Sequence, residues 1–289
     1  LYAQDQIALT DSWHVVAGIR HSDSTNDNSF TTAFSSTSDR MKLKNTSWQL
    51  GTTYALGGGV SLFGGYNTGY DLGAVTGNRK VDGTPFKPET SDQAEAGLRI
   101  VRDNVRASIS AFQVRRDNVG VTDSANAGFS VQDGQFRTRG FELEGEWSPV
   151  AGWYLQGGYA YLDAEISKSS DPAAVGGRLA ETPKHTFTGT TRVQIGEVEL
   201  RAAGNYVGAR KMINGGAVTL PDYAVFDLGA GTEIGPFRID ATLTNLFDKT
   251  YYFTDNASRY SLNTEDRVLV GEPRTISLRV AYRFGAGGR

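Results

Sequence analysis

Cysteine is absent from the 289 residues, so neither a disulfide framework nor a thiolate metal site is available. Methionine and proline are scarce, at 2 and 8 residues. No run approaches the roughly eighteen consecutive apolar residues of a membrane helix, which excludes a helical membrane protein. An excess of positive charge is also lacking. The formal net charge is −3, and basic residues are interspersed with acids, so nothing in the charge pattern favours nucleic acid. The chain opens at Leu1 without an initiator Met or a charged-then-apolar leader, so an exported protein is expected to be seen here processed or excerpted. What is plentiful is glycine, at 35 residues, with 27 Tyr plus Phe (13 and 14), a profile that favours strands and turns.

Period-two alternation runs through most of the chain. In residues 274–284, Ile276, Leu278, Val280, Tyr282 and Phe284 share one face, while Thr275, Ser277, Arg279, Ala281 and Arg283 share the other. Residues 237–244 set Phe237, Ile239, Ala241 and Leu243 against Arg238, Asp240, Thr242 and Thr244. Residues 198–206 set Val198, Leu200, Ala202 and Tyr206 against Glu199, Arg201 and Asn205. Weaker versions cover 1–9, 13–20, 44–56, 60–70, 92–101, 105–115, 136–147, 152–166, 185–193 and 223–232. This predicts an all-β chain of about 13 strands, most at or above the ~9–11 residues that cross a bilayer when tilted.

The connections carry as much information as the strands. Residues 10–11, 57–59, 102–104, 149–151, 195–197 and 233–236 are tight and rich in turn formers. Between them lie long polar links at 21–43, 71–91, 116–135, 167–184, 208–222 and 248–273. In an antiparallel meander alternate connections fall at opposite ends, so the short ones share one side and the long ones the other. Short periplasmic turns with long extracellular loops are the pattern of an outer-membrane β-barrel. A soluble sandwich or propeller also alternates, but gives no reason for alternating loop lengths. Trp13, Trp147 and Trp153 sit on apolar faces beside short turns, joined by Phe237, Tyr282 and Phe284, as an interfacial aromatic girdle on the periplasmic side requires.

An odd strand set that begins on the long-loop side is expected to be part of a larger barrel, with further strands upstream closing the cylinder, because an open edge in lipid leaves backbone groups unsatisfied. Polar-face residues Arg99, Arg106, Glu142, Glu144, Glu146, Arg201, Arg238, Asp240, Arg279 and Arg283 are predicted to face the lumen, ion-paired with one another or with a plug.

Several segments resemble the TonB-dependent siderophore receptors: Tyr2-Ala3-Gln4-Asp5-Gln6-Ile7 followed by Leu9-Thr10-Asp11-Ser12-Trp13, then Pro88-Glu89-Thr90-Ser91-Asp92-Gln93 and Gly140-Phe141-Glu142-Leu143-Glu144-Gly145. Thr182-Pro183-Lys184-His185-Thr186-Phe187, Leu220-Pro221-Asp222-Tyr223, Asn245-Leu246-Phe247-Asp248-Lys249-Thr250-Tyr251 and the Tyr282-Arg283-Phe284 ending follow in order. The resemblance implies that residues 1–284 are the C-terminal part of a 22-stranded barrel in the outer membrane of a Gram-negative bacterium. It also implies an N-terminal plug and a TonB-contacting box, both outside this chain, TonB with its inner-membrane partners as the energy source, and the barrel assembly machinery as a partner. Residues 285–289 depart from it as a short extension beyond the terminal aromatic.

The function this implies is TonB-energised uptake of a ferric siderophore, with no cofactor beyond the transported ligand. Alternatives are another TonB-dependent nutrient (cobalamin, haem or an oligosaccharide), a passive porin, or a soluble carbohydrate-binding β-protein. Ligand contact is expected at the long-loop end, from Tyr70, Phe86, Arg210, Tyr251, Tyr252, Phe253, Arg259 and Tyr260, since rings and cations suit anionic chelates with aromatic arms. Enzymatic readings find little support. Gly229-Ala230-Gly231 with Gly235 lies in a strand and its turn with no helix to receive a phosphate. His14, His21 and His185 lack metal-ligand spacing, and no nucleophile accompanies His185 for a phospholipase.

Overall fold

Alternating apolar and polar side chains can bury one face only if the backbone is extended, and the backbone hydrogen bonds must then be made between strands. The computed structural model describes residues 1–31, 36–71, 80–84, 86–123, 125–126, 129–254 and 268–284. In it thirteen strands form one antiparallel sheet in sequence order. They are β1 (Tyr2–Ala8), β2 (Trp13–Thr31), β3 (Ser36–Gly57), β4 (Val60–Asp71), β5 (Glu89–Arg102), β6 (Val105–Thr122), β7 (Ser130–Trp147), β8 (Trp153–Lys168), β9 (His185–Ile195), β10 (Val198–Val207), β13 (Tyr223–Ile234), β14 (Phe237–Thr244) and β17 (Thr275–Tyr282). Two small hairpins lie in the long links: β11 (Arg210–Lys211) with β12 (Thr219–Leu220), and β15 (Tyr252–Thr254) with β16 (Val268–Val270). All thirteen segments with the period-two pattern are strands of this sheet.

Two compact units are distinguished, one of Leu1–Arg99, Ser110–Gly140 and Asp163–Leu179, the other of Ile100–Ile109, Phe141–Leu162 and Ala180–Arg289. In the first, β2 and β3 pair from Trp13↔Tyr54 to Thr31↔Ser36. The link expected at 21–43 is therefore largely strand, as are the ends of the one expected at 116–135. The reason is physical: beyond the bilayer both faces of a hairpin meet water, so the apolar alternation disappears while the backbone ladder continues. Trp48 stacks on Tyr66 at 5.0 Å on the apolar face, and the Trp13 indole donates to Thr52 Oγ1 at 2.8 Å. On the opposite face Gln49 donates to Gln4 at 3.2 Å.

A small core forms where residues 167–179 fold back on β8. Ile166 packs with Val119 and Phe136, flanked by Ala174 and Leu179. Its backbone bonds both ways with this link, donating to Gly177 O and accepting from Gly176 N, each at 2.9 Å. Asn118, at a φ of 59°, interrupts the alternation of β6 and so brings Val119 to the side of Phe136. Beyond β6, Asp123 accepts from the amides of Ala125 and Asn126 and from the Asn126 side chain, closing a tight loop.

In the second unit β9, β10, β13, β14 and β17 pair without a break in register. One face exposes large apolar side chains, with Leu200 at 42%, Leu228 at 42% and Leu278 at 70%. A soluble β-protein does not present so continuous an apolar face, which argues against the carbohydrate-binding alternative.

Candidate ligand-binding site

The long-link end of the second unit is organised by a single asparagine. β14 ends at Thr244, and Asn245 follows at a φ of 48°, a conformation its short amide tolerates. Its side chain is almost fully buried. The amide nitrogen donates to Lys249 O and Glu272 O, each at 2.9 Å, and its oxygen accepts from Lys249 N at 2.8 Å. Asp248 then accepts from Arg274 N at 2.9 Å. The Asn245-Leu246-Phe247-Asp248-Lys249 segment is thus a hydrogen-bonded turn that fixes the start of β17.

This turn delivers Tyr251 to a cluster of rings. Tyr251 packs against Tyr223 at 4.7 Å, and Phe253 meets both edge-on, at 5.3 Å from Tyr251 and 6.4 Å from Tyr223. The Arg210 guanidinium lies over the Tyr223 ring at 5.5 Å and donates through Nη2 to Tyr252 O at 2.6 Å. Gly271, which donates to Tyr251 O at 2.8 Å, has the Tyr251 ring directly over its Cα, where a Cβ would stand.

Of the eight ligand candidates, Arg210, Tyr251 and Phe253 are therefore brought together through their side chains, and Tyr252 through its backbone carbonyl. Tyr223, read in the sequence only as the start of a strand, is their shared platform; its signal was the Leu220-Pro221-Asp222-Tyr223 motif. Tyr70 is elsewhere, lining a cavity of about 700 Å³ in the first unit with Leu1, Tyr2, Arg20, His21 and Asp23. Phe86 does not offer a ligand surface: it is 2% exposed and packed over Gly120, at 3.0 Å from where a Cβ would stand. A ring in a polar link is buried because the link needs its own apolar anchor. Arg259 and Tyr260 lie outside the described residues, as do residues 285–289.

The polar face of the second unit carries a continuous ladder of ion pairs. Arg192 meets Glu199 at 3.7 Å, Glu199 meets Arg201 at 3.7 Å, and Arg201 meets Asp240 at 3.0 Å. Asp240 binds Arg238 at 2.9 Å, Arg238 reaches Glu233 at 3.6 Å, and Glu233 reaches Arg283 at 3.5 Å. Arg201, Arg238, Asp240 and Arg283 are among the lumen residues expected from the sequence, and Glu199 shares the polar face of Arg201; Arg192 and Glu233 join the ladder through the register. Arg106 pairs with Glu146 at 3.4 Å. Glu142 and Glu144 are exposed on that face without an ion pair among the described residues, as is Arg279, which lies opposite Asp240 in the register. Arg99, in the first unit, stacks over Phe63 at 5.3 Å and pairs with no carboxylate among the described residues. Trp13, Trp147, Trp153, Phe237, Tyr282 and Phe284 are all exposed beside short turns, and Phe237, Tyr282 and Phe284 form a chain of edge-on contacts at 5.2 and 4.6 Å.

Comparison with known proteins adds the following. The family model described as TonB dependent receptor-like, beta-barrel, matches residues 1–246. The metal-pseudopaline receptor CntO of Pseudomonas aeruginosa is 28% identical over 300 residues, covering 98% of this chain and 40% of that protein. The catecholate siderophore receptor Fiu of Escherichia coli (strain UTI89) is 26% identical over 253 residues, covering 82% and 32%. The crystal structure of the siderophore receptor PiuA from Acinetobacter baumannii superposes with a TM-score of 0.83 at 19% identity, covering 96% of this chain and 42% of that one. The chain spans at most about two fifths of the length of these relatives.

Proposed function

This chain belongs to the TonB-dependent receptor β-barrels, outer-membrane proteins of Gram-negative bacteria, and from that premise we propose that its parent protein takes up a ferric siderophore, energised through TonB. Binding is at the long-link end, and no reaction is catalysed. The observation that supports this reading most is the convergence of Arg210, Tyr223, Tyr251 and Phe253 on one aromatic and cationic cluster among the long links. Rings with a guanidinium suit a chelate that is anionic and carries apolar or aromatic arms. Relatives that bear the names of metal-pseudopaline and catecholate-siderophore receptors are in keeping with this class of ligand.

The remaining partners belong to the same proposal. The exposed apolar faces take outer-membrane lipid, and the polar faces take the plug, which in this reading lies in the parent protein together with the other strands. Glu142 and Glu144 offer that plug two carboxylates, and the basic ends of the ladder at Arg192 and Arg283 offer it cations. The barrel assembly machinery inserts the protein. Titration of the full-length protein in detergent with ferric hydroxamates, catecholates and carboxylates, alongside haem and cobalamin, tests the reading. At least one ferric siderophore binds if it holds; binding of haem or cobalamin with no ferric siderophore bound refutes it.

A further inference from the structure

Among the described residues, Arg210 is a cation without a counter-ion. It is 5% exposed, and among the described residues no carboxylate pairs with it. Nη2 is held by the neutral carbonyl of Tyr252, while Nη1 is buried and has no hydrogen-bond partner among the described residues. The buried side chains of the same hairpin and the strand that follows it, Met212, Leu220 and Tyr223, bring no negative charge. A guanidinium stays protonated under all ordinary conditions, so burial cannot be relieved by losing the proton. A buried charge with an empty N–H is costly, and what would complete it is an anion.

We propose that Arg210 receives an anionic oxygen group of the transported ligand, a carboxylate that engages Nη1 and Nη2 together. The inference rests on the uptake function proposed above and narrows its ligand to chelates bearing free negative charge. The two nitrogens form the planar fork that a carboxylate fills with two parallel hydrogen bonds. One tine is free, and the other is held only by a carbonyl, a weaker acceptor than a carboxylate. The incoming group exchanges for Tyr252 O. Binding therefore shifts β15, and with it Tyr251 and Phe253, whose rings rest on Tyr223 on either side of that carbonyl. Tyr223 stays beneath the guanidinium as its platform.

The test compares two probes on the full-length protein in detergent: the ferric complex of a polycarboxylate siderophore with free carboxylates, and that of an uncharged trihydroxamate. Arg210→Gln should weaken the polycarboxylate complex about 10- to 100-fold more than the trihydroxamate, the range for a lost hydrogen-bonded charge. Arg210→Lys, which keeps the charge but not the fork, should fall between. Equal loss for both probes would show Arg210 to be a structural tether only and overturn the inference. Should the glutamine variant fail to fold, hydrogen exchange of the wild-type protein decides. The polycarboxylate complex should speed exchange in residues 251–254, and unchanged or slower exchange overturns the inference. If the wild type binds neither probe nor any other ferric siderophore, the proposed function itself fails, an outcome distinct from equal loss in the variant.

Discussion

Replacing Asn245 by alanine should release the start of β17 from the turn that follows β14. Three hydrogen bonds disappear, to Lys249 O, Glu272 O and from Lys249 N, all made by a side chain that is 4% exposed. At about 1 kcal/mol net each they amount to about 3 kcal/mol. Alanine must also hold a positive φ that asparagine tolerates, which adds about 1 kcal/mol. Asn245→Gly separates the two contributions, since glycine accepts the backbone conformation but makes none of the side-chain bonds. Hydrogen exchange of the Arg274 amide, which donates to Asp248 and not to Asn245 itself, reports the opening of the turn. It should quicken by about a thousandfold in Asn245→Ala and about a hundredfold in Asn245→Gly, at 1.4 kcal/mol per factor of ten. Exchange within about threefold of wild type in both variants would refute the reasoning, because the turn would then hold without the asparagine.

Three further outcomes follow from the same geometry. Gly271→Ala places a methyl on the Tyr251 ring, an overpacking worth about 1–3 kcal/mol, and should raise proteolytic cleavage near residues 251–254 while leaving the apolar face unchanged. Asp240→Asn leaves Arg201 and Arg238 facing each other without their shared carboxylate, lowering the heat-unfolding temperature in detergent; removing Arg238 as well should restore part of the loss. Asp123, in the loop after β6, has its pKa lowered first by the Asn126 side chain and then by the Ala125 amide. Because the folded value lies below the free one, its stabilising contribution is complete above about pH 3.9 and fades as the pH falls through the lowered value. The protection of residues 123–126, taken against the intrinsic exchange rate at each pH, should therefore fall on acidification in the wild type, whereas Asp123→Asn should be loosened already at neutral pH and show no such fall.

The strands were legible because each meets an apolar surrounding on one side and a polar one on the other, which writes a period of two into segments such as 274–284 and 237–244. Where both sides are polar the sequence is silent about pairing, so the outer halves of β2 and β3 read as a link although their backbones pair to Thr31↔Ser36. The ion-pair ladder was partly legible: Arg201, Arg238, Asp240 and Arg283 stand out as charges on alternating strands, with Glu199 beside Arg201, whereas Arg192 and Glu233 needed the register to join them. Arg210 looked like an open binding group, because composition distinguishes a cation in a polar link but not its burial beneath a neighbouring hairpin. Phe86 misled for the same reason, since a lone ring in a polar segment serves ligand contact and loop packing equally well by sequence. Asn245 was visible within its motif, but its bonds to Lys249 and Glu272 depend on two chain segments meeting in space.

Uptake of radiolabelled ferric siderophore by iron-limited cells tests the central claim most directly, with the full-length receptor as the cell's sole route for that siderophore and TonB present or deleted. Accumulation should require both the receptor and TonB, while surface binding should persist without TonB. Accumulation that is unchanged by deleting TonB, or no accumulation of any ferric siderophore that the receptor binds, would contradict the account.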